Sequence, residues 1–201
     1  MSSCSELRAR ARKSLGGQIF ANTWLFVILA ALIISAISGL VSFTLVGPII
    51  VAGPLSYGLG KIVLKAVREQ DSKTEIVDLF KGFTDGFVEN FIIGFLIYLF
   101  TFLWSLLFII PGIVKMYSYS MSFYIKADHP EYSAKQCIDK SRKMMNGYKM
   151  KLFLLQLSFI GWIIVGSLCF GIGILWVFAY MQTATACFYE ELKNQPAAVE
   201  A

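Results

Sequence analysis

The sequence predicts an all-α polytopic membrane protein, with six transmembrane helices paired as three helical hairpins and amphipathic cytoplasmic helices in a pseudo-threefold repeat. Three observations lead there. The 201 residues are 57% hydrophobic and only 15% charged, too apolar for a soluble domain of this size. Apolar runs long enough for a bilayer alternate with polar segments. Lys and Arg gather on one side of the resulting topology.

The first span follows Arg8, Arg10, Arg12 and Lys13 and runs from Ala21 to about Val46. It is too long for the apolar core of a signal peptide and reads as a retained helix. Two more apolar runs lie near 90 to 110 and 152 to 170. Each of the three precedes a more polar returning segment, about 50 to 68, 112 to 127 and 172 to 190. The breaks between partners, VGPIIVAGP, IIPGI and CFGIGI, carry the Pro or Gly that ends a helix.

With the N-terminus inside, only Lys115 of the 18 Lys and Arg lies near an outer turn, and Lys61 lies within a span. All the others, and all 13 Asp and Glu, fall on the cytoplasmic side. Both termini are therefore expected in the cytoplasm, with almost no protein outside. Residues 1–192 read as one membrane domain, and 193–201 as a flexible cytoplasmic tail.

Before each long span a Ser and a Glu or Gln three residues on form a capping box. The pairs are Ser3 with Glu6, Ser72 with Glu75, and Ser133 with Gln136. In the same frame come the bases Arg12, Lys81 and Arg142 and the glycines Gly17, Gly86 and Gly147. The shared frame suggests repeats over about 3–70, 72–130 and 133–192. In the third, Ala134, Cys137, Ile138, Ser141, Met144 and Met145 share a helix face opposite Lys135, Lys140 and Arg142. Such helices suit the inner headgroup boundary, so Arg8, Arg12, Lys13, Lys81, Lys140, Arg142 and Lys143 are candidate contacts to anionic phospholipid.

The returning spans carry polar stripes. Tyr57, Lys61, Lys65 and Arg68 share one, Lys115, Ser118, Tyr119, Ser122 and Lys126 a second, and Trp176, Tyr180, Thr183, Cys187 and Glu190 a third. These groups need partners in hydrocarbon, so the stripes should face one another while the first, third and fifth spans face lipid. Lys61 is expected near the midplane, as a ligand site or as a cation that snorkels away. Lys115 is expected to snorkel outward. At the inner ends Lys65, Arg68 and Lys126 could meet Glu190 and Glu191.

Catalytic chemistry finds no footing. GPLSYGLGK imitates a phosphate loop, but Leu59 and Gly60 separate Gly58 from Lys61 and Ile62 follows it. His129 stands alone beside Pro130; Asp78, Asp85 and Glu89 read as a solvated face opposing Lys73 and Lys81. Cys4, Cys137, Cys169 and Cys187 show no metal-ligand spacing, so neither a metal nor a cofactor is expected. The bases flank apolar runs instead of forming a separate domain, which argues for lipid and against nucleic acid.

The segments GPLSYGLGK, IVDLFKGF, WSLLFIIPGIVKMYSYSMSFYIKADHP, SRKMMNGYKMKLF and WVFAYMQTATACFYEEL resemble a family of bacterial integral membrane proteins catalogued as domain of unknown function 975. The resemblance runs from about Leu7 to Leu192 and implies a polytopic protein with no established activity or catalytic residues. There is also a distant similarity to the membrane domain attached to some glycerophosphodiester phosphodiesterases. The expected function is non-enzymatic: a multi-pass protein of the bacterial cytoplasmic membrane that binds anionic lipid or a membrane partner, or itself as an oligomer, in envelope maintenance. The competing expectation is a small transporter or lipid carrier with an anionic ligand in a polar cavity at Lys61.

Overall fold

A computed structural model describes residues 3–14, 22–41, 47–68, 77–107, 109–168 and 172–195. The described elements are all helices: α1 Cys4–Ser14, α2 Asn22–Val41, α3 Gly47–Arg68, α4 Val77–Thr84, α5 Phe87–Leu107, α6 Ile109–Tyr119, α7 Ser122–Asp128, α8 Ala134–Met144, α9 Lys149–Leu157, α10 Ile160–Leu168 and α11 Ile172–Lys193.

Two capping boxes form as local chemistry dictates. The Ser3 hydroxyl accepts the Glu6 amide at 3.3 Å and the Ser3 amide donates to the Glu6 carboxylate at 2.8 Å. Ser133 and Gln136 repeat the exchange at 3.4 and 2.8 Å. Each box satisfies amides that a helix start leaves open. Gly86 and Gly147 both take φ of +80°, a backbone state that a side chain disfavours. Ser72, Glu75, Gly17, Cys169 and the tail beyond 195 lie outside the described residues.

Three helical stretches are long and apolar enough to cross a membrane: Ile50–Arg68, Phe87–Leu106 and Lys149–Ser167. The returning segment expected at 50 to 68 is thus among them, because α3 starts at Gly47 and runs through Pro54. The fourth expected span is broken at Ser120 and Met121 into α6 and α7. The sixth, α11, carries Glu190, Glu191 and Lys193 in its last turns. The first is apolar over Leu25–Ile37 in its described part.

The chain folds back on itself along these helices. α6 and α7 return antiparallel to α5, with Gly112 against Ser105 and the Tyr119 ring 6.1 Å from that of Phe100. α10 and α11 touch backbone to backbone at Gly166 and Gly173. Burial separates inside from outside: the α3 span is 61% buried, the α5 span only 11% and the α9–α10 span 22%. Accordingly Phe95, Phe102, Leu106, Leu157 and Ile164 stand exposed on the outer helices, and Leu55, Ile62, Ile125, Ala184 and Phe188 fill the core.

The amphipathic helices lie against the returning helices. α4 folds back on α3 so closely that a Cβ on Gly58 would sit 2.0 Å from the Leu79 carbonyl oxygen, and one on Gly82 2.0 Å from that of Pro54. α1 takes the matching place beside α11, where the Tyr180 hydroxyl donates to the Arg8 carbonyl at 2.8 Å. α8 covers the break between α6 and α7. There the Ser141 hydroxyl donates to the Ser118 carbonyl at 2.8 Å and accepts the Met121 amide at 3.2 Å.

Ser141 is fully buried, so Ser141→Ala leaves a carbonyl and an amide without this partner. The expected loss is about 1–3 kcal/mol, read as a lower unfolding midpoint of the detergent-solubilised protein by circular dichroism. An unchanged midpoint would show that the break is held by other contacts.

Candidate functional site

The expected inner polar face is packed. Tyr57 and Ser122 are fully buried, each with a hydroxyl that meets no hydrogen-bond partner among the described residues. Ser118 and Thr183 are buried and donate to the carbonyls of Val114 and Ala179 on their own helices, both at 2.9 Å. Tyr119 is buried against Phe100. Tyr180 packs edge-on against Phe159, with ring centroids 4.9 Å apart.

Lys61 is not the lone midplane cation the spacing suggested. α4 folds back on α3, which brings Asp85 within 3.1 Å of its ammonium, and its side chain is 35% exposed. The Lys115 ammonium lies 4.6 Å over the Trp104 ring, close to the turn between α5 and α6, and lines a cavity with α8 and the start of α9.

The expected charge staple forms around a residue the sequence did not single out. Asp128, at the end of α7 and 3% exposed, accepts from Arg68 of α3 at 2.6 Å and from Lys193 of α11 at 2.8 Å. The Tyr189 hydroxyl donates to it at 2.8 Å. Arg68 also pairs with Glu190 at 2.6 Å. Burial works to raise the Asp128 pKa, but the hydrogen bonds from Lys193, Tyr189 and Arg68 outweigh it and hold the carboxyl below its ordinary value. Lys126 is drawn elsewhere: 1% exposed, it pairs with Glu89 and donates to the carbonyls of Pro130 and Tyr132 at 2.8 and 2.7 Å. Lys65 and Lys81 both pair with Asp78.

The remaining basic candidates line cavities. One, of about 550 Å³, opens between α6, α8 and α9 and is lined by Lys115, Ser118, Arg142, Lys143, Lys149, Asn146 and Asp139. A second, of about 460 Å³, lies between α1, α10 and α11 and is lined by Arg8, Arg12, Lys13, Trp162 and Tyr180. The two share a plan. Arg12 and Arg142 stand nine residues after the capping serines Ser3 and Ser133, and Lys13 and Lys143 ten after. Lys140 lies 4.5 Å over the Tyr132 ring and lines a smaller cavity of about 260 Å³ on α8.

Of the lining residues, Trp162 was not legible as a site residue because it lay in a run read simply as a lipid-facing span, and Asn146 and Lys149 were not because they fell in the loop before it. The basic pair Lys149 and Lys151 at the start of that span was the available signal. Chemically the cavities offer concentrated positive charge, amide and hydroxyl donors and, at the second, an aromatic wall. No group of three or more His, Cys, Asp or Glu able to hold a metal occurs among the described residues.

The described elements are all helices, three helical stretches among them are long and apolar enough to cross a membrane, and basic cavities lie at the amphipathic helices. The chain belongs to the family described as Protein of unknown function (DUF975), whose model matches residues 1–118 and 109–196. No curated protein and no solved structure matches it.

Asp128→Asn keeps an acceptor but removes the charge, and is expected to cost about 2 kcal/mol, since Arg68 and Lys193 are partly exposed. The depressed carboxyl pKa fixes the sign: its contribution is fully present above the ordinary value near 3.9 and fades as pH falls through the lower folded value. Unfolding of wild type and variant followed from neutral to acid pH should therefore converge only below about pH 4. A constant difference would mean the charge is not what matters.

Proposed function

We propose that this chain is a non-enzymatic protein of the bacterial cytoplasmic membrane that binds anionic phospholipid headgroups from the cytoplasmic side, in support of envelope maintenance. In this reading the hairpins of α2 with α3, α5 with α6 and α7, and α9 and α10 with α11 cross the bilayer as six spans. The cytoplasmic end is the end of the Asp128 staple, because Lys and Arg concentrate there.

The observation that carries the reading is the paired design of the two larger cavities. A capped helix sets an Arg and a Lys at the same places against a returning helix, beside exposed apolar surface. Phosphate oxygens suit the Arg fork and the Lys ammonium, while acyl chains suit the neighbouring Trp162, Phe153 and Leu154. The carrier centred on Lys61 loses support, because Asp85 already neutralises that ammonium. The distant similarity to membrane domains of glycerophosphodiester phosphodiesterases agrees with a lipid-facing role by analogy alone.

Native mass spectrometry of the protein released from nanodiscs of mixed phosphatidylglycerol and phosphatidylcholine tests this. Wild type should retain phosphatidylglycerol preferentially. Replacing Arg12, Lys13, Arg142 and Lys143 by Gln should weaken retention roughly fivefold per cation removed. Equal retention of both lipids by wild type, or unchanged preference in the variant, would reject the assignment.

A further inference from the structure

We propose a further activity, which rests on the reading that the cavities hold lipid headgroups: the face of α8 is a route by which anionic phospholipid headgroups pass between the two leaflets. The two cavities on α8 share Asp139 and Lys143 among their lining residues, so they form one continuous polar track. Its near end is Tyr132, whose carbonyl is held by Lys126, which in turn pairs with Glu89 at the start of α5. Its far end is Lys115, stacked over Trp104 close to the other end of α5.

From Glu89 to Trp104 the axis of α5 advances about 22 Å, most of the roughly 30 Å hydrocarbon core. Along that length Lys140, Lys143, Arg142 and Lys115 line the track, with Lys149 at the start of α9, and the one lining carboxylate, Asp139, pairs with Arg142 at 3.5 Å. The outer face of the same α5 is apolar from Val88 to Leu106, so this helix stands in lipid from end to end. Cations at that depth are costly unless water or an anion comes to them. Arg142, with 52% of its side chain exposed, is not shut inside the protein.

A phospholipid resolves both demands at once. Its phosphate moves from one cation to the next along α8 while its chains remain in the bilayer, because the track is open at the side. Lys115 is the step that matters most, since it carries positive charge past the break at Ser120 and Met121 towards the far leaflet. No bond is made or broken, and movement follows the existing gradient of lipid between the leaflets.

The test is dithionite quenching of tail-labelled fluorescent lipid in sealed vesicles of phosphatidylcholine and phosphatidylglycerol containing the full chain. Wild type should let dithionite reach labelled phosphatidylglycerol from the inner leaflet as well as the outer, with phosphatidylcholine moving more slowly. Lys115→Leu combined with Arg142→Gln should slow this roughly tenfold. Lys115→Arg should keep the rate, and so should Lys135→Gln, an exposed residue that lines neither cavity. Matching helical circular dichroism and elution profiles separate a lost route from a lost fold. Wild type that retains phosphatidylglycerol but leaves the inner leaflet unquenched would overturn the route and spare the binding role. Failure of retention as well would overturn both. Equal rates for the two lipids, or for wild type and the double variant, would also reject the α8 track.

Discussion

A break in a helix leaves backbone groups that must find partners elsewhere, and the Ser141 hydroxyl supplies one on each side of the break between α6 and α7. The returning half of the central hairpin breaks after Tyr119, and the break is bridged by a side chain from a helix that follows it in sequence. Docking α8 there has two effects. It closes the gap between α6 and α7, and it holds Lys140, Arg142 and Lys143 along the hairpin instead of at its mouth. The basic cavities on α8 are thus a by-product of how a broken helix is mended.

The same logic explains why the three units are not alike. α1 and α8 set bases on cavities, but in the unit between them Gly82 stands one place after Lys81, where the others have Lys13 and Lys143. A glycine there lets α4 press against the Pro54 backbone, and Lys81 turns to Asp78. α4 has exchanged an open basic site for close packing. Neutralisation of Lys61 by Asp85 belongs to the same exchange, since both follow from α4 lying flat on α3.

Local chemistry was legible in the sequence, and distant contacts were not. The Ser3 and Ser133 boxes need only residues three apart, so spacing sufficed to find them, and exposed α5 and α9–α10 spans follow from unbroken apolar runs. The Arg68 to Glu190 pair was legible because both lie at the ends of returning segments. Asp128 sits at the same level but looked like one acidic residue in a loop, since nothing local shows that Tyr189 and Lys193 converge on it. The partner of Lys61 was not legible either, because Asp85 lies 24 residues on in a separate segment. Ser141 was rightly set on the packing face of α8, but no pattern within α8 reveals a break in another helix.

The seat of α1 beside α11 carries a consequence for how the chain is made. Leu7 and Ala11 are buried in the finished protein, and the hydroxyl that grips the Arg8 carbonyl belongs to Tyr180, 172 residues later. During synthesis the first helix emerges long before its neighbour exists. Until then Leu7 and Ala11 lack the packing that buries them. The docking of α1 therefore waits until Tyr180 has been made, however early Arg8 leaves the ribosome.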